Sequence, residues 1–153
     1  MIKTILVPTD FSEHAQRAFE RARDLAEQLG ARLCVLHVQT EGTIRTAIKE
    51  GLLDEASTDA ELCAAIEQLI EQRFSQMLAG VDRMRVEYTS RRGESTVLIP
   101  AYAEEIGADL VVVGRRGAGL MSEMREAVIG SVTASVIRRS PCPVMVVRRE
   151  HTG

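Results

Sequence analysis

The 153-residue chain has three cysteines, Cys34, Cys63 and Cys142, which are far apart and odd in number. That pattern argues against both a disulfide framework and a CxxC metal site. It suits a reducing compartment, so the expected location is cytoplasmic. The three histidines, His14, His37 and His151, share no metal-ligand spacing with each other or with the cysteines, and no zinc site is expected. No stretch approaches the roughly 18 consecutive apolar residues that mark a membrane span. Met1-Ile2-Lys3 runs directly into an apolar segment, so no leader peptide is expected. The formal charge is −3 and acids and bases are interspersed, without the clustered Lys and Arg of a nucleic-acid or anionic-membrane binder. Arg91-Arg92, Arg138-Arg139 and Arg148-Arg149 read as solvated surface, whereas Arg115-Arg116 stands among glycines after an apolar run. No linker, repeat or low-complexity tract interrupts the chain, and one domain over residues 1–153 is expected.

What the sequence does contain is ordinary for a globular domain: 45% apolar and 27% charged residues. A chain of this length buries roughly two-thirds of its unfolded surface. Ile2 to Val7 reads as a buried strand ending at Pro8. Asp10 and Ser12 are alternative caps for the helix that follows, whose stripe runs from Ala15 through Phe19 and Ala22 to Leu29 and stops at Gly30. Arg32 to Val38 is a second strand, apolar enough to be covered on both faces. Residues 39–57 carry mixed signals. Thr58 and Glu61 form a capping-box pattern ahead of a long helix. Met84 to Thr89 alternates and is expected at a sheet edge. A helix over about Thr96 to Ile106 must hold Pro100 in its first turns or bend there. Leu110-Val111-Val112-Val113 is a fourth strand, Gly130-Ser131 opens a last helix, and Val144 to Val147 is a fifth strand after Ser140-Pro141-Cys142-Pro143.

Alternation of strands and helices implies right-handed parallel crossovers. The expected fold class is α/β, a single doubly wound five-stranded parallel sheet in order 3-2-1-4-5. Strands one and four then flank the switch point, where ligands bind in such sheets. Pro8, Thr9 and Asp10 fall there from one side, and Gly114-Arg115-Arg116-Gly117 from the other.

The residue types suit an anion. Gly114 and Gly117 would allow close backbone approach and positive φ. Gly130-Ser131 offers amides, a hydroxyl and the positive end of a helix dipole, and Thr133 adds a hydroxyl one turn in. Asp10 could accept from a ribose hydroxyl, help to hold Mg²⁺, or simply cap its helix. Val38 could pack on a flat base. Arg115 and Arg116 could reach phosphates or remain solvated. The glycines could be turn residues and Gly130-Ser131 a plain helix entry. Gly119 is followed by Leu120-Met121, so the P-loop Lys is missing, and the dinucleotide fingerprint is absent after the first strand. No nucleophile–base arrangement stands out, and the segment reads as a holder of ligand rather than a dedicated enzyme.

Ile5-Leu6-Val7-Pro8-Thr9-Asp10-Phe11-Ser12, Leu36-His37-Val38, Gly93, Ala108 to Gly114, Gly130-Ser131-Val132 and Ser140-Pro141-Cys142-Pro143-Val144 together resemble the universal stress protein family over essentially the whole chain. Its nucleotide-binding branch is described by glycine, two residues, glycine, nine residues, then glycine with Ser or Thr. Gly114, Gly117 and Gly130-Ser131 match that pattern, except that Ala118 to Ile129 separates the last two glycines by three residues more. The resemblance implies a Rossmann-like (adenine nucleotide alpha hydrolase-like) fold and a stress or signalling module that binds ATP with Mg²⁺. The implied nucleotide site comprises Pro8, Thr9, Asp10, Val38, Val113, Gly114, Arg116, Gly117, Gly130, Ser131, Val132 and Thr133. Within it Asp10 and Val38 would lie on the ribose–adenine side, and Gly114, Gly117, Gly130, Ser131 and Thr133 would hold phosphates. It also implies a homodimer through the strand Pro143 to Val147, an apolar edge that a soluble monomer would leave exposed. A nucleotide-free interaction dimer is the alternative that the longer loop favours.

Overall fold

The computed structural model describes residues 1–54, 57–82, 85–115 and 129–149. Five strands, β1 (Thr4–Thr9), β2 (Arg32–Gln39), β3 (Val86–Arg92), β4 (Leu110–Gly114) and β5 (Val144–Val147), form one parallel sheet in the order β3-β2-β1-β4-β5. The helices are α1 (Glu13–Leu29), α2 (Glu41–Lys49), α3 (Asp59–Met77), α4 (Ser95–Glu105) and α5 (Ser131–Arg139). The doubly wound order is the one expected from the sequence.

The two-residue side-chain period of the strands divides the core into two layers. Ile5, Val7, Leu33, Val35, Leu110 and Val112 pack with Ala18, Phe19 and Ala22 of α1 and with Ile66, Ile70 and Phe74 of α3. Leu6, Cys34, Leu36, Val38, Val111 and Val113 pack with Ile99, Tyr102 and Ala103 of α4 and Val136 of α5. Burial on both faces is why these strands read as unbroken apolar runs. The helices after β1 and β4 therefore lie on opposite faces, which opens a crevice between the carboxyl ends of the two strands.

Several boundaries differ from expectation. β1 does not end at Pro8: Pro8 pairs with Leu36 and Thr9 with His37. Pairing of β1 with β4 stops at Leu6, so the missing proline N–H falls where that ladder has already opened. Ser12, rather than Asp10, caps α1, its Oγ accepting from Ala15 N at 3.2 Å. Gly30 closes the helix at φ 65° in the left-handed conformation. β3 begins at Val86 and runs to Arg92, and Met84 lies outside the described residues. Its partner is β2, and it forms the sheet edge as expected.

In the mixed segment α2 forms despite Gly42, and buries Ala47 against Ala65 and Leu69 of α3. Pro100 lies inside α4. The carbonyl one turn earlier, Thr96 O, cannot receive a proline N–H, and Ser135 Oγ of α5 donates to it instead at 3.4 Å.

Candidate functional site

A cavity of about 370 Å³ occupies the crevice at the carboxyl ends of β1, β2 and β4, within the usual range for small-molecule sites. Pro8, Thr9, Asp10, Val38, Val113, Gly114, Gly130, Ser131, Val132 and Thr133 all line it. Arg116 and Gly117 lie outside the described residues. Sequence reasoning missed Ala15, Leu36, Thr40, Ser95 and Ile99, which complete the wall. Leu36 was discoverable from the strand period, since it shares a face with Val38. Ser95 and Ile99 come from α4, and no local signal tells which helix crosses over a crevice.

The β1 side is held by a chain of hydrogen bonds. His37 Nδ1 lies 2.9 Å from Thr9 O, and a carbonyl only accepts, so Nδ1 carries the proton. Nε2 is then the acceptor for Thr43 Oγ1 at 3.4 Å, and Thr43 Oγ1 accepts from Thr40 N at 3.2 Å. His37 is buried, which lowers its pKa below the ordinary imidazole value; the hydrogen bond to Thr9 and then the charge of Asp10 act the other way without reversing it. Thr9 Oγ1 accepts from Phe11 N at 3.0 Å and donates to Met77 Sδ at 3.8 Å.

Phe11 itself has φ 60°, a costly conformation for a residue with a bulky side chain. It sends the ring into the core, 4.7 Å from His37 and edge-on to Phe74 at 5.0 Å. That turn leaves Asp10 on the cavity side, its Oδ1 accepting from Ser12 N at 2.9 Å. Asp10 thus shapes the βα turn without serving as the helix cap.

On the β4 side Gly114 needs no positive φ, contrary to expectation; its lack of a side chain serves packing. A Cβ there would stand 2.7 Å from His14 O in the first turn of α1. Thr133 is buried and its Oγ1 donates to Gly114 O at 2.8 Å, which ties α5 to the end of β4. Its hydroxyl proton is therefore used within the protein. Gly130 caps α5 with φ −60° and donates its own N–H to Arg115 O at 3.0 Å. The amides of Ser131, Val132 and Thr133 have no intrahelical partner by helix geometry, and all three residues line the cavity. Arg115 Nε is buried, with no hydrogen-bond partner among the described residues.

The floor is apolar, from Leu36, Val38, Ile99 and Val113, and the rim is polar. Asp10 is the one ionisable side chain among the described lining residues. No group of three or more His, Cys, Asp or Glu side chains that could hold a metal ion occurs among the described residues. A lone carboxylate fits Mg²⁺ carried on ligand phosphates and water, the usual mode for that ion, and does not fit a resident metal centre. Among the described residues no helix is long and apolar enough to cross a membrane.

A model of the universal stress protein family matches residues 1–148. The chain is 35% identical over 147 residues to a universal stress protein of Synechocystis sp., covering 96% of this chain and 86% of that one. The hypothetical protein MJ0577, the subject of a structure-based assignment of biochemical function, superposes with a TM-score of 0.74 at 27% identity, with 99% of each chain covered. A universal stress protein solved in complex with cAMP gives a TM-score of 0.60 at 27% identity, covering 96% of this chain and 97% of that one.

Proposed function

The chain belongs to the universal stress protein family, and on that premise we propose that it is a binding module for an adenine nucleotide, with ATP accompanied by Mg²⁺ as its ligand. The observation that carries the reading is the meeting of Asp10 with the α5 N-terminus across one apolar-floored cavity. First-turn amides and the helix dipole favour phosphate. Arg115, whose Nε has no partner among the described residues, follows Gly114, and its carbonyl accepts from Gly130 N at the start of α5. Val38 and its apolar neighbours offer a surface for the base, and the cAMP bound by a structural relative is a nucleotide of this class.

Asp10 would hold Mg²⁺ that arrives with the nucleotide, and the ion would offset the phosphate charge. The role is binding and signalling rather than dedicated catalysis, because the described lining residues supply no acid–base pair. The proposed assembly is a cytoplasmic homodimer joined along β5. Calorimetric titration with Mg-ATP tests the reading: binding is expected in wild type and weakened at least several-fold in Ser131→Ala. No heat at tens of micromolar protein, with no nucleotide in the purified sample, rejects it.

A second reading is a nucleotide-free interaction dimer. It is favoured by the twelve residues from Ala118 to Ile129, three more than the family's nucleotide-binding pattern. Adenine nucleotide found in the purified protein rejects that alternative.

A further inference from the structure

Two hydroxyl residues outside the family's glycine pattern, Thr40 and Ser95, line the same cavity. Thr40 follows β2, and its backbone N–H is already engaged with Thr43 Oγ1. Ser95 is the first residue of α4, it is partly buried, and its Oγ has no hydrogen-bond partner among the described residues. A hydroxyl at the wall of an apolar-floored cavity, with no partner among the described residues, can bond a ligand that enters it.

Sheet order says which end of a ligand that would be. α5 starts from β4, the Asp10 turn starts from β1, and α4 starts beyond β3 and packs over β2. From β4 to β2 is two strand spacings, roughly 10 Å. A nucleotide with its phosphate on the amides of Ser131 to Thr133 and its ribose beside Asp10 must therefore direct its base toward Ser95. The distance is also held. Ser135 Oγ bonds Thr96 O, so the first turn of α4 is tied to the body of α5.

We propose that Ser95 is a base-recognition residue of this site, its hydroxyl bonding the polar edge of the purine while α5 holds the phosphate. The inference rests on the nucleotide reading above. A hydroxyl both donates and accepts, so it can meet a ring nitrogen or an exocyclic amine.

The test is the affinity of AMP, ADP and ATP, the last with Mg²⁺, for wild type, Ser95→Ala, Ser95→Thr and Ser131→Ala. Loss of one ligand hydrogen bond corresponds to about a 5- to 10-fold loss of affinity. Ser95→Ala is expected to weaken all three nucleotides by that one common factor, and Ser95→Thr to restore binding. Ser131→Ala is expected to weaken them by a factor that changes with phosphate number. Alanine suits a helix position, and an unchanged melting temperature for Ser95→Ala establishes that the fold is intact. Affinities for Ser95→Ala within twofold of wild type overturn the assignment, as does a loss that grows with phosphate number. No binding of any of the three nucleotides by wild type overturns the nucleotide reading itself, and this inference with it.

Discussion

His37 shows how much one buried side chain can arrange. It joins the end of β1 to the cap of α2 through Thr9 O and Thr43 Oγ1, and stacks on the strained Phe11 that turns Asp10 toward the cavity. Burial lowers its pKa, so the folded protein keeps it neutral. The unfolded chain takes up the proton near the ordinary value of about 6.5. Stability from this group is therefore fully present above that pH and is lost as pH falls from about 6.5 through the lowered folded value. Glu13, Glu61, Glu105 and Asp109 have pKa values lowered by their hydrogen-bond partners, so their contributions are lost only in the more acidic carboxylate range. Thermal melts between pH 7.5 and 5.5 are expected to show a steeper fall for wild type than for His37→Asn. Equal slopes would show that His37 is not the titrating group.

Among the elements, α4 and α5 carry the most instructive coupling. Proline within a helix costs roughly 3 kcal/mol in general, partly by orphaning a carbonyl. Here the orphan, Thr96 O, receives Ser135 Oγ of the neighbouring helix. Ser135→Ala is expected to cost about 1 kcal/mol, the penalty of a part-buried acceptor that loses its partner. Pro100→Ala restores an N–H one turn along, so the same serine substitution in that background is expected to cost less. Denaturant unfolding of the four proteins in this double-mutant cycle measures the difference, and equal costs would show that the serine and proline are independent.

For the whole molecule, the two sheet edges differ in character. β3 presents Glu87, Tyr88, Arg91 and Arg92, and Arg91 is engaged by Glu105 at 2.6 and 2.7 Å and by the Tyr102 ring at 4.6 Å. The expectation of a merely solvated Arg91 therefore gives way to a paired one. β5 presents Val144, Met145, Val146 and Val147, all partly buried, with no described strand beyond them. An apolar edge of that kind is a template for pairing with another chain. Light scattering at tens of micromolar is expected to give twice the mass of the chain. A monomer mass throughout that range rejects pairing through β5.

The sheet order was legible because alternating strands and helices leave few right-handed parallel arrangements, and Gly114 and Gly130 both line the crevice that this order opens. The stripe from Ala15 to Leu29 and the caps at Gly30 and Thr58 were legible because they are local, written in three- and four-residue spacings, whereas the choice between Asp10 and Ser12 at the start of α1 was left open. Why each site residue has its type was not legible. Gly114 is glycine because α1 passes against it, Thr133 spends its hydroxyl proton on Gly114 O, and Ser95 faces the cavity because α4 crosses over β2. Each of these depends on partners far away in the chain. Spacing along a sequence fixes periodicity and local hydrogen bonds, whereas contact between remote segments exists only once the sheet has brought them together.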